Sequence, residues 1–140
     1  MPRYRDRLPQ LDGGLFLTDG GLETVLVFQE GLELPDFAAF CLLKTAAGES
    51  ALRRYLRTYA DIARRAGAGL ILDSATWRAS ADWGARLGYG RMELAEANRK
   101  AIRLVEEVRR ECETPRSPMV CGRFADDWVG PAGRAPGLAR

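Results

Sequence analysis

The chain has 140 residues, one ordinary domain at most, and 46% of them are hydrophobic, enough for a core and too many for a disordered polypeptide. Its 21 basic and 19 acidic residues leave a net charge of +2, no basis for a nucleic-acid or anionic-membrane partner, and its apolar runs fall short of the about 20 residues that a spanning helix needs. It has no histidine, which excludes imidazole bases, Ser-His triads and His metal ligands within the chain and leaves carboxylates, hydroxyls, thiols, arginine and lysine to carry any chemistry.

The N-terminal MPRYRDRLPQL is charged and lacks the apolar segment of a secretory signal. Three widely spaced cysteines, Cys41, Cys112 and Cys121, then suit reduced thiols in the cytoplasm. Asp12-Gly13-Gly14 is turn chemistry, residues 15–18 read as a short buried strand, and Gly20-Gly21 breaks it. Residues 22–29 predict one or two helical turns, ended by Glu30-Gly31. Leu34-Pro35-Asp36 then starts a further helical segment, with Phe37, Phe40, Cys41 and Leu43 following.

Leu52, Tyr55, Leu56, Tyr59, Ile62, Ala63 and Ala66 recur at the spacing of an amphipathic helix. Ser50 or Glu49 opens it and Gly67 closes it. Tyr55 and Tyr59 read as packing residues on this stripe, and the five arginines between 53 and 65 as a solvated face. Residues 69–72 form a second apolar strand that ends at Asp73-Ser74-Ala75-Thr76. A polar, aromatic loop over 77–88 carries a helical turn from Ser80. After Gly90 a long helix is marked by Leu94, Ala97, Ala101, Val105, Val108 and Cys112, and Thr114-Pro115 stops it. Cys41 and Cys112 fall on helix stripes and read as core thiols. A third strand starts in Ser117-Pro118-Met119-Val120-Cys121.

Strands alternating with helices predict an α/β fold with a parallel sheet, and short strands apolar on both faces suit a sheet covered by helices. Ligands of such folds sit outside the carboxyl ends of the strands. Asp19-Gly20-Gly21 and Asp73-Ser74-Ala75-Thr76 lie at those ends. Glycines there admit close backbone approach, and a carboxylate can hold an amine. Neither stretch is a phosphate loop or a dinucleotide fingerprint, since no Gly-Lys-Ser/Thr and no G-x-G-x-x-G appears. A purely structural role stays open: a sharp Gly-Gly turn with Asp19 capping the next helix.

Taken together, "TDGGLETVLVF", "YADIARRAGAGLILDSATWRAS" and "ANRKAI" resemble the homocysteine S-methyltransferase family, from about Leu15 to Cys121. The resemblance implies the N-terminal portion of a (β/α)8 barrel, about three βα units, with residues 1–121 as a partial homocysteine-binding domain and 122–140 as a divergent tail rich in Gly, Ala, Pro and Arg. It implies a parent activity of zinc-dependent methyl transfer from an onium donor, such as S-methylmethionine, to the homocysteine thiol, giving methionine. Zinc suits that chemistry, because a thiol with a pKa of about 8.5 is a weak nucleophile until the metal takes it as thiolate. The resemblance further implies that Asp19, Gly20 and Gly21 line the homocysteine pocket, with Glu23 on the same turn, and that Ser74 and Thr76 place a hydroxyl beside the substrate. Asp73 is a pocket residue or a backbone partner, and Arg78 and Ser80 lie further out on the loop.

The family's zinc ligands are cysteines late in the barrel, including an adjacent Cys-Cys pair. This chain has no such pair. No catalytic residue and no metal ligand is therefore expected here, zinc is expected to be bound by the family and not by this chain, and the chain alone is expected to be inactive or nearly so. A complete barrel takes about 250 residues. The composition change near Gly122 fits a truncated member, with Val129-Gly130-Pro131 as a displaced relic of a family loop. Two alternatives stand beside this: a non-catalytic half-barrel that binds another chain or self-associates through its exposed edge, and a different α/β enzyme using Asp19 and Asp73 as acid and base.

Overall fold

A computed structural model describes residue 4 and residues 6–122. The two long apolar stripes decide its architecture. Strand β1 (Phe16–Leu17) leads through a short helix α1 (Leu22–Thr24) and several tight turns into helix α2 (Ala46–Ala66). Strand β2 (Gly69–Asp73) leads through helix α3 (Ala81–Arg86) into helix α4 (Arg91–Cys112), and strand β3 (Met119–Gly122) follows. The strands form one parallel sheet in the order β1-β2-β3. Phe16 pairs with Gly69, and Leu70 through Asp73 pair with Met119 through Gly122. The α/β alternation is thus as the sequence predicts.

Helix α2 buries Leu52, Tyr55, Leu56, Ala60 and Ala63, and α4 buries Ala97, Ala101, Leu104, Val105 and Val108. Both faces meet Leu70, Leu72 and Met119 of the sheet in one core. Each fully buried Leu or Val there contributes roughly 1.5–3 kcal/mol. Across the α2–α4 contact, Arg53 bonds Glu107 at 2.6 Å and Arg57 bonds Glu111 at 2.5 Å. These pairs are solvent-washed and fix the helices' facing more than they stabilise them. Gly69 lies under the Phe16 ring, where a Cβ would come within 2.3 Å of it. The third strand is held from behind by Ser117, whose buried hydroxyl donates to the Ala68 carbonyl at 2.7 Å.

Several boundaries differ from expectation. Helix α2 opens at Thr45, not at Glu49 or Ser50: the Thr45 hydroxyl accepts from the Gly48 amide at 3.1 Å. Ala46, Ala47 and Gly48 carry no large apolar group, so periodicity misses this first turn. Gly48 is also needed, because a Cβ there would sit 2.1 Å from the Leu42 carbonyl oxygen. Gly67 closes the helix as predicted, at φ +61°. The helical turns expected over 22–29 form, the second being a wide π turn (Val25–Gln29). The segment begun by Leu34-Pro35-Asp36 gives only two 3-10 turns, Pro35–Phe37 and Ala39–Lys44, because Asp36 and Phe37 adopt positive φ (50° and 57°) and break the run. Cys112 is buried, whereas Cys41 is half-buried at the core's edge. Strand β3 takes in Gly122, and the tail over 123–140, with Val129-Gly130-Pro131, lies outside the described residues. Among the described residues no helix is long and apolar enough to cross a membrane.

Candidate functional site

At the carboxyl ends of β1 and β2 a cleft of about 420 Å³ opens, lined by Asp19, Gly21, Leu22, Glu23, Asp73, Ser74 and Trp77. Parallel pairing puts the two strand ends side by side, so acidic residues 54 positions apart in sequence share one wall. Gly21 turns the chain at φ +110°, a conformation open to glycine and strained for any L side chain. That turn brings Glu23, in the first turn of α1, back over the cleft.

Asp19 is held from below. The Tyr55 hydroxyl of α2 donates to its Oδ2 at 2.9 Å. Tyr55 is buried, with its ring 5.0 Å from that of Tyr59. Burial pushes the Tyr55 phenol upward, and the bonded Asp19 carboxylate pushes it further, so it stays a proton donor throughout the ordinary pH range. Tyr59 projects its hydroxyl against Gly20, where an added Cβ would lie 2.7 Å from that oxygen.

The other two carboxyls sit differently. Asp73 is raised above the usual carboxylate range, chiefly by burial and then by repulsion from Asp19. Its Oδ1 lies beside Gly122, 3.0 Å from where a Cβ would project. Glu23 is also raised, mainly by burial and further by Asp19, while a backbone hydrogen bond and Arg78 pull the other way. The cleft therefore gathers three acids whose mutual repulsion a cation relieves.

The remaining sequence-predicted residues separate. Ser74 lines the cleft, and its hydroxyl lies 2.8 Å from that of Thr76. Thr76 is fully buried beneath it and is not part of the cleft wall. Arg78 does not line the cleft either. It sits at φ +62° with its guanidinium between the Trp77 ring (4.5 Å) and the Trp83 ring (4.2 Å), and it donates to the Asp36 carbonyl. Arg86 reaches the Asp36 carboxylate at 3.0 Å, so the loops after β1 and β2 are clipped together above the sheet. Ser80 bonds Asp82 at 2.6 Å and opens α3. The loop itself is pinned by Asn98 of "ANRKAI", which donates to the Ala79 carbonyl at 3.1 Å.

Two cleft features escaped sequence reasoning. Trp77 lines the wall, and Tyr55, assigned to packing, also bonds Asp19. The available signal was the choice of tyrosine over leucine on a buried stripe: a buried phenol needs a polar partner.

Among the described residues no group of three His, Cys, Asp or Glu is placed to hold a metal ion. The thiols are dispersed and all free. Burial pushes the Cys121 thiol up to about 11, and its Sγ lies 3.5 Å from the Val105 carbonyl oxygen, so it stays protonated at neutral pH and is a poor zinc ligand. The described residues do not fit a zinc ion.

The carboxylate-lined cleft lies at the carboxyl ends of parallel strands, where α/β folds hold their ligands. The family model of homocysteine S-methyltransferase matches residues 16–135, and the chain belongs to that family. The match runs past Cys121 into the stretch that composition sets apart as a tail. No curated protein and no solved structure matches the chain.

Proposed function

We propose that the cleft holds the amino-acid end of homocysteine, with Asp19 as the anionic partner of its ammonium and Gly20-Gly21 admitting the backbone of the ligand. The observation that carries this is the convergence of Asp19, Glu23 and Asp73 with Ser74 in one cleft, in a chain of this family. An ammonium among three acids gains charge-assisted hydrogen bonds and relieves their repulsion. The Ser74 hydroxyl and Trp77 complete a wall for a short, partly apolar thiol.

The parent reaction is methyl transfer to sulfur: the thiol loses its proton, sulfur bonds the methyl carbon, and the carbon–onium bond breaks to release a neutral sulfide or amine. S-methylmethionine is the donor we favour, and methionine the product. In the family this thiol is activated by zinc. The described residues offer no such ligand set. We propose that these residues bind substrate without activating it, that the three βα units are the N-terminal portion of a (β/α)8 barrel, and that the chain works in the cytoplasm, where its thiols stay reduced.

The test is zinc content together with S-methylmethionine-dependent methylation of homocysteine on the purified chain, alongside calorimetric titration with L-homocysteine. Binding with little or no turnover and no stoichiometric zinc is expected. Turnover with one zinc per chain would overturn the division between binding and activation, and absence of binding would overturn the assignment of the cleft.

A second use, a half-barrel that associates with another copy, is favoured by one observation. Leu15, just before β1, and Phe28, in the π turn after α1, are 70% and 73% exposed. Light scattering that finds only monomer at high concentration would remove it.

A further inference from the structure

We propose that Tyr55 is a positioning residue for the substrate ammonium: its hydroxyl occupies Asp19 Oδ2 and fixes the carboxylate so that the remaining oxygen faces the cleft. This rests on the assignment of Asp19 as the ammonium partner. The geometry is specific. Tyr55 lies in the middle of α2 on its buried face, with only 3% of its surface exposed. It is the side chain that bonds Asp19 among the described residues, at 2.9 Å. Asp19 sits on a two-glycine turn that supplies no side chain of its own to orient it. A carboxylate on such a turn rotates freely about χ1 and χ2 unless something outside the turn holds it, and ordering it on binding would cost affinity. The Tyr55 ring is confined, because it is packed in the core and meets the Tyr59 ring at a tilt of 52°. The carboxylate is thereby oriented before the ligand arrives. Tyr59 adds a steric wall at Gly20, neighbours the Tyr55 hydroxyl and bonds no carboxylate of the cleft among the described residues, so Tyr59→Phe is the comparison for an effect that only passes through Tyr55.

The division of labour follows from the same arrangement. Among the described residues, Glu23 and Asp73 receive no such fixed donor from a core side chain. Burial and the charge of Asp19 push both upward, and Asp19 is the acid of the cleft that a core side chain holds in place.

The experiment is calorimetric titration of the full chain and of Tyr55→Phe, Tyr59→Phe and Asp19→Asn with two probes: L-homocysteine and 4-mercaptobutyrate, which lacks the amino group. Tyr55→Phe keeps the ring and its packing. We expect it to weaken homocysteine binding about five- to tenfold, the scale of one ordinary hydrogen bond, while 4-mercaptobutyrate binding is unchanged. The preference for the amine-bearing probe therefore falls by the same factor. A merely structural loss would weaken both probes together and leave the preference intact, which would overturn the proposal. Equal effects of Tyr55→Phe and Tyr59→Phe on the preference would also overturn it. If Asp19→Asn abolishes the preference and Tyr55→Phe leaves it untouched, the ammonium assignment stands and the role of Tyr55 falls. If wild type shows no preference, the ammonium assignment falls and the role of Tyr55 with it.

Discussion

The two strand ends carry the same grammar, an aspartate followed by small residues, and the fold uses them in opposite ways. At β1, Asp19 stands on a glycine turn and is held by a phenol from the core helix. At β2, Asp73 receives no hydrogen bond from the described residues, and burial beside Gly122 drives its carboxyl upward. The small residues also diverge. Gly20 and Gly21 leave space for a ligand or for Tyr59, whereas Ser74 and Thr76 spend their hydroxyls partly on each other. One aspartate is held by a hydrogen bond from the core and the other is tolerated at a cost. A motif's spelling therefore does not settle its use; the donors that the neighbouring helix supplies do.

Four substitutions break or sharpen this contrast, and the largest effect is expected at the anchor. Asp19→Asn keeps an acceptor for Tyr55 but removes the charge, and should weaken L-homocysteine binding by roughly thirtyfold or more, the scale of a charge-assisted hydrogen bond. Calorimetry reads this directly, and a change below threefold would make the two aspartates equivalent. Gly21→Ala forces an L side chain into φ +110° and should cost on the order of 1–3 kcal/mol in urea unfolding, with loss of binding through the displaced Glu23. An unchanged midpoint would mean that the turn is not needed as drawn.

The third test uses the raised carboxyl of Asp73. A carboxyl raised on folding holds its proton more tightly in the native state, so stability falls as pH rises from the ordinary aspartate value of 3.8 through the raised native value. Asp73→Asn removes that penalty. Its melting temperature should exceed wild type at pH 7, by an amount worth less than about 1 kcal/mol at this half-exposed site, and the difference should vanish below pH 4. A loss of stability at pH 7 would show that Asp73 is a bonded structural residue instead. The smallest effect is expected for Ser74→Ala. It removes one hydroxyl of a buried pair, should cost about 1 kcal/mol by denaturant titration, and should change homocysteine affinity severalfold at most.

Much of this contrast was legible in the sequence. The stripes of α2 and α4, the stop at Gly67 and the placement of both aspartates at strand ends follow from periodicity and glycine chemistry, although Ile62 and Ala66, read onto the α2 stripe, lie exposed. What was not legible depends on partners remote in sequence. Tyr55 fits an apolar stripe equally well with or without Asp19 above it, 36 residues earlier. Arg78 follows Trp77 directly, and nothing local says that its guanidinium turns away from the cleft to stack between two indoles. The 3-10 turns of Ala39–Lys44 replace a helix because the positive φ at Asp36 and Phe37 is set where Arg78 and Arg86 clip that loop. The start of α2 was hidden because alanine and glycine leave no apolar period to read.

The most direct test of the account is a titration of uniformly 15N-labelled chain with L-homocysteine, followed by amide chemical shifts. The account predicts that the largest changes fall at Asp19 to Glu23 and at Asp73 to Trp77, the two walls of the cleft, with the cluster at the opposite end of the sheet around Arg64, Arg65 and Arg116 unmoved. Changes centred on that basic cluster, or none in either region at saturating ligand, would contradict it.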